Sequence, residues 1–360
     1  MRVFDVPKNL KIVVGLSGGV DSATAAALLC DAEWDVTGVH LRLLKETDSH
    51  LQKNEIDACA VAKYLGISFI TRDVSGRFEK EVLNYFIREY LSGRTPNPCI
   101  FCNPLIKFRS LLDVARETGA EKIATGHYVR VNYNYHFSRY IIRRGADPRR
   151  DQSYFLALLT QEELAPFVAP LGEMSKDEVK HIARRFGLKA AERSPSQEIC
   201  FVTGDYREFL EKFPEVRGRL QPGDIIDTRG RLLGRHKGLA YYTIGQREGL
   251  GISAPHPLYV VRLENKTTQV VVGDKSETFS TRMRVCKINW IALEGLRRER
   301  RAEVQIRYRH RAAQARLTSF ENGEDVLVEF DTPQPSITPG QAAVFYQDDV
   351  ILGGGIIANL

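Results

Sequence analysis

With 360 residues, 43% hydrophobic and 27% charged, the chain exceeds what one hydrophobic core usually organises, so two or three folded domains are expected. No uncharged apolar run approaches the roughly 20 residues that span a bilayer, and MRVFDVPKNLKIVVGL at the N-terminus lacks a long apolar stretch before a cleavage site; a cytoplasmic protein is therefore expected. Six cysteines are too few for a disulfide scaffold, and a net charge of +6 does not by itself mark a nucleic-acid binder.

In chain order, short β-branched runs at 12–14, 36–41, 67–70 and 123–124 alternate with helical stretches at 22–29, 55–65, 79–91 and 107–118. This alternation predicts an α/β fold, a doubly wound parallel sheet with ligands at the carboxyl ends of its strands. A hairpin is expected at 129–135 and 138–143, then helices at 152–160, 161–167 and 175–186. Beyond 208, Gly and Pro punctuation becomes dense. Alternating segments at 259–262, 269–272, 304–308 and 325–330 read there as antiparallel strands. The expected division is a nucleotide-binding catalytic domain at 1–207, a small central linker domain at 208–275 and a C-terminal antiparallel β-barrel at 276–360.

The string Gly15-Leu16-Ser17-Gly18-Gly19-Val20-Asp21-Ser22 follows a buried strand and opens a helix, so backbone N–H groups and the helix dipole converge where a phosphate would sit. It contains no lysine for a γ-phosphate and is neither a Walker loop nor a dinucleotide fingerprint. Ser17 and Ser22 supply hydroxyls, and Asp21 suits Mg²⁺ better than phosphate. The string resembles the SGGxDS pyrophosphate loop of enzymes that cleave ATP to AMP and pyrophosphate, which activate a carbonyl oxygen for displacement.

A C-x-x-C lies in a Pro-stiffened loop, Thr95-Pro96-Asn97-Pro98-Cys99-Ile100-Phe101-Cys102, and a third cysteine follows in Gln197-Glu198-Ile199-Cys200. A structural zinc site wants four protein ligands, and no second C-x-x-C or paired His completes one. Sulfur transfer needs a thiol to carry a persulfide and a second thiol to release the product. A three-Cys iron–sulfur cluster on Cys99, Cys102 and Cys200, with one open iron for hydrosulfide, is the other chemistry these residues permit. Cys30, Cys59 and Cys286 read as ordinary buried residues. Basic residues gather in Arg143-Arg144, Arg149-Arg150, 297–301 and 307–311. Tyr308 between Arg307 and Arg309 suits single-stranded RNA, which is held by base stacking and phosphate neutralisation.

The strings GLSGGVDS, GRTPNPCIFCNPLIKF, ATGHYVRV, RRDQSYFL, SQEICF, YTIGQREGLGI, RYRHRAAQARL, TPGQAAVFY and LGGGII together resemble the bacterial tRNA-specific 2-thiouridylases, the MnmA family, nearly end to end. The resemblance implies ATP and Mg²⁺ at 15–22, with Leu41 and Gly126 lining base and ribose. It implies a target base among Asn97, Pro98 and Cys99, and tRNA contacts at His127, Arg149, Arg150, Asp151, Arg307, Tyr308 and Gln341. Its reaction is 2-thiolation of the wobble uridine through an adenylated C2 oxygen, with Cys102 as nucleophile and Cys200 as persulfide carrier. Cys200 is supplied by a cysteine desulfurase or relay protein, and a Cys102–Cys200 disulfide closes the cycle. Position 99 departs from the best-described members, which carry Asp there. A thiolate at that position keeps a [4Fe-4S] cluster open as an alternative, as is thiolation at another tRNA position.

Overall fold

Ile12, Val13 and Val14 have no solvent exposure, as expected of a strand covered on both faces. Val13 joins a core with Leu111 and Ile123, while Ile12 and Val14 join another with Ala26, Leu29 and Trp34, because successive side chains leave a strand on opposite faces. In this computed structural model, which describes residues 10–44, 49–189, 199–202, 204–321 and 323–360, that strand, β1 (Lys11–Gly15), is central in an all-parallel sheet. Its other strands are β2 (Asp35–Arg42), β3 (Ser68–Asp73), β4 (Lys122–Ala124) and β7 (Phe167–Val168), in the order β3-β2-β1-β4-β7. The chain order reverses across β1, so the loops after β1 and β4 open at a topological switch point.

The helix preceding Thr118 begins earlier than its periodicity suggests. An α-helical turn at Pro98–Cys102 runs into a π turn at Asn103–Phe108 and then an α-helix at Arg109–Thr118. Pro104 lacks an N–H and its ring crowds the preceding carbonyls, and widening the ladder to i→i+5 accommodates it. The C-x-x-C, expected on a loop, is therefore helical. Asn97 caps the turn by accepting the Cys99 N–H at 3.2 Å, and Pro98 occupies the first position.

The helix expected at 152–160 is only a 3₁₀ turn, Ser153–Leu156. Its carbonyls are taken by side chains from elsewhere: Asn103 Nδ2 donates to Phe155 O at 2.9 Å, and Asn289 Nδ2 to Ala157 O and Leu159 O at 3.0 and 2.8 Å. Similarly, the helix expected at 161–167 stops at Leu164 before Pro166, and Phe167 enters β7.

The hairpin β5 (Val129–Asn134) and β6 (Arg139–Arg144) joins the last sheet rather than the first. Four strands, β8 (Gly223–Asp227), β9 (Leu232–His236), β10 (Tyr259–Glu264) and β11 (Gln269–Gly273), form a separate sheet ordered β10-β11-β8-β9. The last six are β12 (Phe279–Trp290), β13 (Arg300–Gln305), β14 (Ala313–Ser319), β15 (Val326–Pro335), β16 (Ala342–Gln347) and β17 (Val350–Ala358). They close into an antiparallel barrel because β12 pairs with both β15 and β17. One core cluster runs from Val13 and Phe108 through Tyr154 and Leu156 to Val344, Tyr346 and Ile356, so the parallel sheet and the barrel are welded through segment 153–159. Among the described residues no helix is long and apolar enough to cross a membrane.

Candidate active site

The loop between β1 and the helix α1 (Val20–Asp31) is braced by its two serines. Ser17 N–H donates to Ser22 Oγ at 3.1 Å, Ser22 Oγ donates to Gly19 O at 3.1 Å, and the two hydroxyls lie 3.1 Å apart. Gly18 takes φ +77°, a left-handed turn glycine adopts without strain. The N-cap, Gly19, makes no side-chain cap, so the first amides of α1 face outward with the positive end of its dipole. Leu16 and Val20 are buried in separate hydrophobic clusters, which leaves their backbones to serve a ligand. Gly126, just beyond β4, lies against the loop: a Cβ there would fall 2.7 Å from Asp21 C and from Ser22 N. Leu41 at the end of β2 is half-buried between two core clusters.

Asp21 is not isolated. Tyr128 Oη donates to its Oδ1 at 2.7 Å, and Lys176 Nζ, from the helix Lys176–Arg185, meets the same oxygen at 2.5 Å. Burial and the Asp21 carboxylate push the Tyr128 phenol up, which keeps it a donor. The Asp21 side chain retains 35% exposure. Magnesium keeps several waters and takes one or two protein carboxylates plus substrate phosphates, and Asp21 at the mouth of an anion-binding helix fits that donor set.

The second half of the site gathers the cysteines. Cys102 is buried in a cluster with Phe78, Phe86, Ile106 and Phe209, and Phe201 inserts into the same cluster, 5.2 Å from Phe78 and 5.5 Å from Phe86 between ring centroids. Cys200, next to that anchor, is exposed, and its charge acts on Cys102. Burial pushes the Cys99 thiol up to about 11, with Cys200 adding to the rise and Lys107 opposing it. Burial likewise pushes Cys102 up to about 12 against the pull of Lys107. Protein crowded around the Cys200 sulfur raises it too, again opposed by Lys107. Burial would lower Lys107, but Cys102, Cys200 and Cys99 outweigh it and hold its ammonium charged. The π turn accounts for the meeting, since i→i+5 closure stacks residues five apart such as Cys102 and Lys107. All six cysteines are free, and Cys59, expected to be buried, is exposed. Among the described residues no group of three His, Cys, Asp or Glu side chains is arranged to hold a metal ion, so the three-Cys cluster ligand set is not supported.

Gly126 and His127 connect the halves. While Gly126 meets the phosphate loop, burial and the charge of Lys107 depress His127 to about 3, and its Nδ1 lies 2.7 Å from Thr125 Oγ1.

The remaining expected tRNA-contact residues are divided among the segment after the hairpin, the barrel and the loop before the cysteines. Tyr308 packs on Phe155 with centroids 4.4 Å apart, Arg307 donates to Pro335 O at 3.1 Å, and Gln341 donates to Thr95 O at 3.0 Å. Arg149 is exposed beside Asp147, 3.2 Å away, and Arg150 is half-buried. Asp151 points inward, accepting from Gly145 N, Ser153 N, Ser153 Oγ and Arg144. The basic runs are largely paired within the protein: Arg143 with Asp349, Arg297 with Glu294, Arg301 with Asp331. Ser196, Gln197 and Glu198, which lead into Cys200, lie outside the described residues.

Residues 10–204 match the family model described as the tRNA methyl transferase HUP domain, 207–274 its PRC-barrel domain, and 280–357 the aminomethyltransferase beta-barrel domain. The tRNA-specific 2-thiouridylase MnmA of Moorella thermoacetica is 46% identical over 97% of this chain and 99% of its own length. Those of Trichormus variabilis and Acetivibrio thermocellus are 45% and 41% identical, each over 96% of this chain and over 98% and 99% of their own lengths. The chain belongs to the tRNA-specific 2-thiouridylase family.

Among solved structures, the U34-tRNA thiolase NcsA from Methanococcus maripaludis with its [4Fe-4S] cluster aligns at TM-score 0.37 and 19% identity, covering 57% of this chain and 65% of that one. At that distance it says nothing about cysteine chemistry in this 2-thiouridylase family member. Three residues of its site carry no role in the motifs: Tyr128 and Lys107, which stand inside two of the matching strings, and Lys176, which stands in none. Lys107 stands five places after Cys102, at the far end of the π turn, and its charge acts on that thiol. Nothing in the sequence ties Lys176 to residue 21.

Proposed function

We propose that this chain thiolates the wobble uridine of tRNA at C2, using ATP and Mg²⁺ to activate the base and Cys200 to carry the sulfur. The observation that carries the reading is the adjacency of Gly126, against the phosphate loop, and His127, which feels the same Lys107 charge that acts on the three cysteines. An activating site and a sulfur-delivering site on consecutive residues suit a reaction whose intermediate must pass from one to the other without leaving.

The uridine C2 oxygen attacks the α-phosphate of ATP, the α–β bond breaks and pyrophosphate departs, with the amides of α1 and the loop holding the phosphate chain. Bound at Asp21, magnesium would neutralise phosphate charge. The target base leaves the anticodon stack to lie at Asn97, Pro98 and Cys99. The terminal sulfur of a Cys200 persulfide, received from a cysteine desulfurase or relay protein, attacks C2, and AMP leaves with the original oxygen. Cys102 then attacks Cys200 Sγ; the S–S bond to the product breaks, thiouridine is released, and the two electrons it gains come from oxidation of Cys102 and Cys200 to a disulfide. An external thiol resets the pair. Because Cys102 and Cys200 are both raised, Lys107 supplies the positive charge that favours each thiolate. His127, Arg149, Arg150, Arg307, Tyr308 and Gln341 would contact the tRNA, with Asp151 shaping the turn that presents the arginines. The proposed domain limits are 1–207, 208–275 and 276–360, and the proposed compartment is the cytoplasm.

Thiolation assayed with ATP, wobble-uridine tRNA and a desulfurase tests this. Cys200→Ser should abolish 2-thiouridine while leaving ATP and tRNA binding unchanged, and wild-type thiolation by that variant would overturn the carrier role. An iron-free preparation should be active; activity that required iron and sulfide would overturn the persulfide route.

A further inference from the structure

We propose that Lys176 is a phosphate-binding residue of the nucleotide site, supplying from a distant helix the cation that the SGGVDS loop lacks; the inference rests on the ATP-dependent reading above.

Three observations carry it. Lys176 is buried, with 7% of its side chain exposed, yet its Nζ is directed at Asp21, the second residue of α1 and the carboxylate at the mouth of the loop. Burying an ammonium is unfavourable unless it is paired and hydrogen-bonded. A pair made only to immobilise Asp21 is superfluous, because Tyr128 already donates to the same Oδ1 at 2.7 Å.

The position is also wrong for a structural lysine. Lys176 is the first residue of its helix, where the dipole disfavours a cation. The next two residues, Asp177 and Glu178, follow the rule, and Glu178 completes a capping box with Ser175. A residue that breaks a local rule while its neighbours obey it marks a functional demand.

The chemistry of the loop states that demand. Its amides and dipole supply partial charges, and its side chains are two serines and an aspartate. A departing pyrophosphate bears several negative charges, and a lysine is a compact point charge suited to phosphate. Lys176 brings that charge to the carboxylate that would bind magnesium. Asp21 holds the amine beside the loop while the site is empty, and the amine turns to the β- and γ-phosphates as nucleotide binds.

Calorimetric titration of the full-length chain with ATP, with inorganic pyrophosphate and with AMP, each with Mg²⁺, tests the assignment on Lys176→Met and Lys176→Arg, with thermal unfolding followed in parallel. Lys176→Met should weaken ATP and pyrophosphate about tenfold or more, the loss of one charged contact, and leave AMP within about twofold. Lys176→Arg should recover part of the difference. If Lys176→Met does not fold because Asp21 is stranded, Asp21→Asn with Lys176→Met removes both charges, and comparison with Asp21→Asn alone isolates the lysine. Unchanged pyrophosphate affinity, or equal losses for ATP and AMP, overturns the proposal and leaves the thiolase reading standing. Failure of the unaltered chain to bind ATP overturns both.

Discussion

Gln341 donates its side-chain amide to the carbonyl of Thr95 at 3.0 Å across 246 positions of sequence. Thr95 N–H donates in turn to Pro339 O at 2.9 Å, and its hydroxyl donates to Thr243 at 3.2 Å. One residue, two places before the cap of the cysteine helix, is thereby tied to the barrel and to the segment leading into β10.

Gln341→Ala should loosen that tie. The expected cost is about 1 kcal/mol of stability, the usual net worth of one such bond. Faster amide exchange at Thr95 and slower thiolation should accompany unchanged ATP affinity. Exchange followed by mass spectrometry checks it; unaltered protection at Thr95 would mean that the Pro339 contact alone holds the segment.

Gly126→Ala should damage nucleotide binding more than the fold. The added methyl would sit 2.7 Å from Asp21 C and Ser22 N, backbone atoms that can yield only by moving the loop, at about 1–3 kcal/mol. ATP titration should register a loss of tenfold or more while tRNA binding persists.

Asp151→Ala should unfold the turn presenting Arg149 and Arg150. Its side chain is 9% exposed and accepts four hydrogen bonds, one from Arg144, so removal strands several buried donors at a cost of about 3 kcal/mol. The melting temperature should fall. An Asp acting only as an RNA contact would leave it unchanged.

Thiol chemistry should be strongly pH-dependent. Burial raises Cys102 to about 12, so its thiolate fraction, and with it the alkylation rate, should grow about tenfold per pH unit between pH 8 and 10 with no plateau. Removing the opposing cation by Lys107→Met should raise the value further and slow alkylation at any fixed pH. The same raised value stabilises the fold fully below the unfolded thiol's value of about 8.5, and that contribution is lost as pH climbs toward about 12. Mass-spectrometric rates for Cys102 against exposed Cys59 provide the measurement.

The parallel sheet and the strand, glycine turn and helix of the 15–22 loop were legible in the sequence because each is written in a short window. Three β-branched residues, a glycine pair and a following helix suffice to specify a strand, a turn and an anion-binding amide cluster. Segment 152–160 was misread for the same reason: its apolar spacing is helical, but Asn103 and Asn289 claim its carbonyls from positions no window contains.

Only the tertiary structure decided which charges meet those motifs. Lys176 reaches Asp21 across 155 positions; the charge of Lys107 acts on both Cys102 and Cys200, residues far apart in sequence; and Phe201, next to Cys200, is driven into the hydrophobic cluster that holds Cys102. Local backbone preference selects elements, whereas contacts between elements follow from burying their apolar faces together. That burial, rather than any motif, determined which lysine meets the loop's aspartate and which acts on the thiols.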